Sequence, residues 1–97
     1  MPQFVQTEQQ KELIDSLVRD LPAYRKKMHM SQAELGEAVG KSRQKISEME
    51  RGAAPLGWDT YLAILLVLGA RGALEPRGSD AERIALTGKL IGGRIRL

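Results

Sequence analysis

The chain has 97 residues, 28% of them charged, with no cysteine, one histidine and a net charge of +3. That length supports one small core, so residues 1–97 are expected to form a single domain. The missing cysteines exclude a disulfide framework, and one histidine leaves zinc chemistry and Cys-His catalysis without their groups. No stretch reaches the ~18 apolar residues of a membrane span and no signal-peptide pattern opens the chain, which fits a cytoplasmic protein.

Near the N-terminus, Thr7 and Gln10 are spaced as a capping box for a helix starting near Glu8. Leu13, Ile14, Leu17, Val18 and Leu21 give that helix an apolar stripe. Pro22 interrupts the pattern. Either one helix kinks there and continues to about Met28, the favoured reading, or one helix ends near Arg19 and another starts with Asp20 as its cap. Arg25, Lys26 and Lys27 close the segment, where cations suit the helix dipole.

Ser31 and Glu34 form a second capping box, predicting a helix from Gln32 to Val39. Gly40 supplies a left-handed residue for a sharp turn. Ser42 then caps a helix from Arg43 to about Glu50, which Gly52 ends. Leu35 and Val39 lie one turn apart on the first of these helices, and Ile46 with Met49 on the second. Gly36, with almost no side chain, lets the two pack closely. Two short helices locked at a steep angle form the unit that presents a helix to the DNA major groove.

After a loop from Gly52 to Gly57, residues Trp58 to Leu68 read as an apolar helix with Leu62, Leu65, Leu66 and Leu68 in the core. Trp58 and Tyr61 are read as packing groups, because the chain has too few aromatic residues for a single-strand stacking platform. Residues 73–76, Ala-Leu-Glu-Pro, suggest a short edge strand. Ser79 and Glu82 suggest a cap for a helix from Asp80 to about Ile91, with Ile84, Leu86, Leu90 and Ile91 as its apolar stripe. The stretch after it looks loose and basic. The whole reads as all-α, a compact bundle of about five or six helices.

Ser31-Gln32-x-Glu34-Leu35-Gly36, Val39-Gly40, Ser42, Ile46 and Met49-Glu50-x-Gly52, with Leu68-Gly69 downstream, resemble the Cro/C1-type (Xre-type) helix-turn-helix family of bacterial and phage regulators. The resemblance covers roughly residues 20–70, leaving 71–97 as a C-terminal extension; either that extension or the N-terminal helix is expected to supply the dimer surface. The family usually has Ala at Gly36, Gly at His29 and an apolar residue at Lys41, so His29 must end its helix without glycine's freedom at positive φ.

At about 100° per residue, Arg43, Gln44, Ser47 and Glu48 share an arc of roughly 140°, opposite Ile46 and Met49. Arg suits guanine O6 and N7, Gln suits adenine N6 and N7, Ser several edges, and Glu accepts from cytosine N4. These four are the base-reading candidates. Gln32, at a helix N-terminus, and Lys41, Ser42, Lys45 and Arg51, around the turn and rim, are the candidate backbone contacts. The resemblance implies that Arg25 and Glu50 pair, tying the first helix to the recognition helix by a bidentate grip. The net charge is −2 over residues 1–20, +3 over 21–52 and +2 over 53–97, so the positive excess begins with the motif.

The expected function is that of a sequence-specific transcription regulator, repressor-like, binding double-stranded DNA at a palindromic operator as a homodimer. The alternative is an antitoxin that binds a toxin protein and represses its own operon, a group of which the 73–76 strand candidate is reminiscent. No nucleophile–base pair or metal cluster can be assembled, so neither an enzyme nor a cofactor is expected.

Overall fold

A computed structural model describes residues 7–92 of the chain. Five α-helices and no strand occur among the described residues: α1 (Glu8–Met28), α2 (Gln32–Val39), α3 (Arg43–Glu50), α4 (Trp58–Ala70) and α5 (Gly78–Gly92). The fold is all-α, with a radius of gyration of 13.4 Å, close to the ~13 Å of a folded chain this long. The two short helices α2 and α3 pack chiefly on each other. They rest on α1 and α4, and α5 lies against α1.

The Thr7–Gln10 box opens α1: the Gln10 amide donates to Thr7 Oγ1 at 3.1 Å, and the Thr7 amide to Gln10 Oε1 at 2.8 Å. The helix then runs as one element through Pro22 to Met28, so no break forms at Arg19–Asp20. An interior proline costs ~3 kcal/mol. Here its ring is exposed, while Leu17 and Leu21 before it and Tyr24 and Met28 after it are buried and anchor both halves. Each such side chain contributes roughly 1.5–3 kcal/mol on burial, which outweighs one lost backbone bond. The helix ends at His29 in the left-handed region, φ 56° and ψ 39°, where the Met30 amide reaches back to the Arg25 carbonyl at 2.9 Å.

The core contains Leu17, Leu21, Leu35, Ile46, Tyr61, Ile64 and Leu68, all fully buried, with Met49 at 1% exposure. On α4 the expected core set is only partly right. Tyr61, Ile64 and Leu68 form the inner stripe, Leu62 and Leu65 flank it half-buried, and Leu66 is 75% exposed. Leu66 lies about 200° around the helix from Leu68, so it cannot share that face. Trp58 stacks on Tyr61 with ring centroids 4.8 Å apart.

Residues 73–76 form a loop rather than a strand. Side chains satisfy its polar groups: Lys27 Nζ donates to the Ala73 carbonyl at 2.9 Å and to Glu75 at 2.6 Å, and the Glu75 amide donates to Asp80 Oδ2 at 2.8 Å. The next helix begins at Gly78, so Ser79 lies inside it and does not cap it.

The inner face of α5 is also not the expected one. Arg83 (5% exposed) and Thr87 (3%) face the core, whereas Ile84 (43%), Leu86 (43%) and Ile91 (39%) face outward. Arg83 donates to the Tyr24 hydroxyl at 2.5 Å, to Ser16 at 2.5 Å and to Asp20 at 3.0 Å, with its guanidinium 5.6 Å from the Tyr24 ring centre. The Tyr24 hydroxyl donates to Asp80 in turn. Burial, then the Asp80 carboxylate, pushes Tyr24 up to about 12. Thr87 donates to the Arg83 carbonyl and accepts from Tyr61, both at 2.7 Å. A buried polar chain thus docks α5 where an apolar stripe was expected. The basic stretch after Gly92 lies outside the described residues.

Candidate nucleic-acid interface

Local chemistry fixes both short helices at their ends. Ser31 Oγ accepts from the Glu34 amide and Glu34 Oε1 from the Ser31 amide, each at 3.0 Å. The Ser31 amide, and after it the Ser31 hydroxyl, hold the Glu34 carboxyl below its usual range. Gly40, at φ 73°, turns the chain, and the Lys41 amide closes the turn on the Gly36 carbonyl at 2.8 Å. A Cβ on Gly36 would lie 2.4 Å from the Lys41 carbonyl oxygen and 3.3 Å from Ile46. The bare Gly36 backbone is therefore what lets the turn and α3 come this near. Ser42 Oγ accepts from the Lys45 amide at 3.0 Å to start α3. Gly52, at φ 71°, follows Arg51 at the helix end.

Ile46 and Met49 bury one face of α3 against the core. The opposite arc carries the four base-reading candidates: Arg43 and Gln44 are exposed, Ser47 and Glu48 half-buried. Three of these already have neighbours. Gln44 Nε2 reaches Glu48 at 3.4 Å, and Arg51 Nη1 donates to Ser47 Oγ at 2.6 Å. Arg43, Lys41 and Lys45 have no hydrogen bond from their side chains and no ion pair among the described residues. Lys41 and Ser42 are exposed at the turn, and Lys45 is half-buried at the rim.

Arg25 and Glu50 do meet. Arg25 Nε and Nη2 grip the two Glu50 oxygens at 2.5 and 2.9 Å, and Nη1 donates to the Met30 carbonyl at 3.2 Å. The Glu50 side chain is 7% exposed and that of Arg25 18%. The bond to Glu50 raises the Arg25 pKa. Gln32 joins the cluster, its amide nitrogen 3.0 Å from Glu50 Oε1. Read from sequence only as a candidate backbone contact, Gln32 also links the start of α2 to the end of α3. No local pattern announces a bond across 18 residues; it follows from the angle at which α2 meets α3.

This geometry presents hydrogen-bonding side chains on a helix backed by core, flanked by cations without internal partners. Among the described residues no group of three or more acidic, histidine or cysteine residues could hold a metal, and no helix is long and apolar enough to cross a membrane. A profile of the family described as "Helix-turn-helix domain" matches residues 16–78. No curated protein and no solved structure matches the chain. The matched segment takes in most of α1 and all of α2, α3 and α4, with α2, the Gly40 turn and α3 as its two short helices and the turn between them; the chain belongs to the helix-turn-helix domain family.

Proposed function

We propose that the protein is a sequence-specific regulator of the Cro/C1 type, repressor-like, that sets α3 in the major groove of duplex DNA. The observation that carries this reading is the outer arc of α3. Arg43 and Gln44 stand exposed at the helix start, while Ile46 and Met49 fix the opposite face. The N-terminal residues of a recognition helix approach the base edges most closely. Arg43, Gln44, Ser47 and Glu48 read bases; Lys41, Ser42, Lys45, Arg51 and the Gln32 helix start hold phosphates. Arg25 and Glu50 hold the scaffold. One short helix reads only a few base pairs, so a homodimer on a palindromic operator supplies enough specificity. The antitoxin alternative drew on a strand at residues 73–76; those residues form a loop, and no observation favours it.

Selection of bound sequences from random duplex, followed by titration on the selected site and on scrambled DNA, tests the assignment. Arg43→Ala and Gln44→Ala should each cost about 1–3 kcal/mol at the selected site and little on scrambled DNA. Lys45→Ala should weaken both by similar factors. Equal losses on both duplexes for Arg43→Ala and Gln44→Ala would reduce these residues to phosphate contacts. No enrichment of any sequence would reject the regulator reading.

A further inference from the structure

Between α1 and α5 lies a cavity of about 380 Å³. That falls within the ~300–1,000 Å³ of sites that bury small molecules. Its walls come from these two helices, so it shares no residue with α2, α3 or the turn between them. The bonds from Arg83 to Ser16 and Asp20 set the start of α5 beside the middle of α1. The two ends of the cavity therefore differ. One end holds Ser16, Ser79, Glu82 and Arg83. Leu13, Leu86 and Leu90 continue the lining toward Lys89, which lies about 9 Å along α5 from Arg83.

The polar end has hydrogen-bonding capacity that the fold leaves unused. Arg83 is 5% exposed, and its Nη atoms are taken by Tyr24, Ser16 and Asp20. Its Nε is buried and has no hydrogen-bond partner among the described residues. A buried donor without an acceptor is costly, and native folds rarely leave one. The Ser16 oxygen accepts from Arg83, and its own hydrogen has no acceptor among the described residues. Ser79 is exposed, and its hydroxyl bonds to nothing among the described residues. Glu12, one turn before Ser16, and Glu82 are exposed and make no hydrogen bond or ion pair among the described residues. One end of an apolar slot thus offers donors for an acceptor group and carboxylates for a cation.

We propose that this cavity binds a free α-amino acid with an apolar side chain. The ligand carboxylate accepts from Ser16 and Ser79 and lies against the Arg83 guanidinium, giving Nε its acceptor. Leu86, one turn along α5 from Arg83 and 43% exposed, has room to turn aside as the carboxylate enters. The ligand ammonium stands between Glu12 and Glu82. The side chain runs along Leu13, Leu86 and Leu90, where a polar one would lose water without gaining a partner. An α-amino acid carries both charges on one carbon, which matches the crowding of donors and carboxylates at one end. A fatty acid would bring its charge to Glu12 and Glu82 with no cation to offset them. An alkylamine would leave the donors unmet. The site does not depend on α3 contacting DNA.

Isothermal titration of the whole chain, without DNA, with L-leucine and with L-phenylalanine tests this. Saturable one-to-one binding of at least one of them is expected. Isocaproate and isoamylamine keep the leucine chain but lack its ammonium and its carboxylate respectively; hydrocinnamate and phenethylamine do the same for phenylalanine. Each comparator should bind about tenfold or more weakly than its parent. Glu82→Gln should weaken the amino acid by about tenfold or more and leave the acid without an ammonium no weaker than before, a split that loss of folding would not produce. Glu82 is exposed and holds nothing in the fold, so this variant should keep the wild-type melting curve. No saturable binding of either amino acid would overturn the proposal. So would a comparator as tight as its parent, or a Glu82→Gln chain that binds the amino acid as the wild type does.

Discussion

Replacing Arg25 with alanine isolates the anchor between α1 and α3. In the wild type the Glu50 carboxylate receives 2.5, 2.9 and 3.0 Å bonds from Arg25 Nε, Arg25 Nη2 and Gln32 Nε2. The substitution removes the two charge-assisted bonds and leaves a 7% exposed carboxylate facing one neutral amide. Breaking a buried pair from one side costs about 3–5 kcal/mol, and the partial exposure of Arg25 places this case near the lower end, about 3 kcal/mol. Domains of this size have ~5–15 kcal/mol in total, so the loss is a large share. Thermal unfolding followed by circular dichroism should show a midpoint lower by roughly 12–24 °C. Replacing both Arg25 and Glu50 with methionine removes the stranded charge together with its partner and should recover most of the loss. An unchanged midpoint for Arg25→Ala would refute the reasoning, because it would mean the carboxylate finds water as easily as it finds the guanidinium.

Three further outcomes follow from the same geometry. Gly36→Ala gains ~1 kcal/mol of helix propensity but drives a Cβ to 2.4 Å from the Lys41 carbonyl, so a net loss of about 1–2 kcal/mol is expected in denaturant titration; a stabilised variant would show that the turn yields freely. Tyr24 has a folded pKa raised from 10.0 to about 12, so its contribution is intact below 10 and is lost as pH rises toward 12. Phenolate absorbance and helicity should therefore change together across that window; ionisation with no loss of helix would contradict it. Duplex binding should weaken with salt, each phosphate contact from Lys41, Lys45 or Arg51 adding about −0.9 to the slope of log affinity against log salt. A flat dependence would remove the electrostatic basis of the interface.

The helix-turn-helix was legible because its determinants are local. Ser31, Glu34, Gly40, Ser42 and Gly52 each act within a few residues of themselves, through a cap or a left-handed turn, and the bounds of α2 and α3 fall where those residues place them. His29 was legible for the opposite reason: the chain had to turn there without glycine, and it does so at φ 56°. Glu50 was harder. Its tie to Arg25 came from family resemblance, and its bond to Gln32 depends on the crossing of two helices that no spacing rule encodes.

The C-terminal third resisted reading because two assumptions failed there together. Periodicity assumes that the buried face of a helix is its apolar face. On α5 the buried face holds Arg83 and Thr87, made tolerable by Tyr24, Ser16, Asp20 and Tyr61 from α1 and α4, which lie 26–67 residues away in sequence. A lone arginine buried without such partners would cost several kcal/mol, so nothing within residues 78–92 could justify placing it inside. The second assumption was that the isoleucines of α5 belong to this chain's own core. Once Arg83 claims the inner face, helical geometry obliges Ile84 and Ile91 to face outward, at 43% and 39% exposure. The same fact that spoiled the core assignment therefore creates the apolar surface. A polar inner face and an apolar outer face are one arrangement: α5 is docked by a hydrogen-bonded network that leaves its isoleucines facing outward.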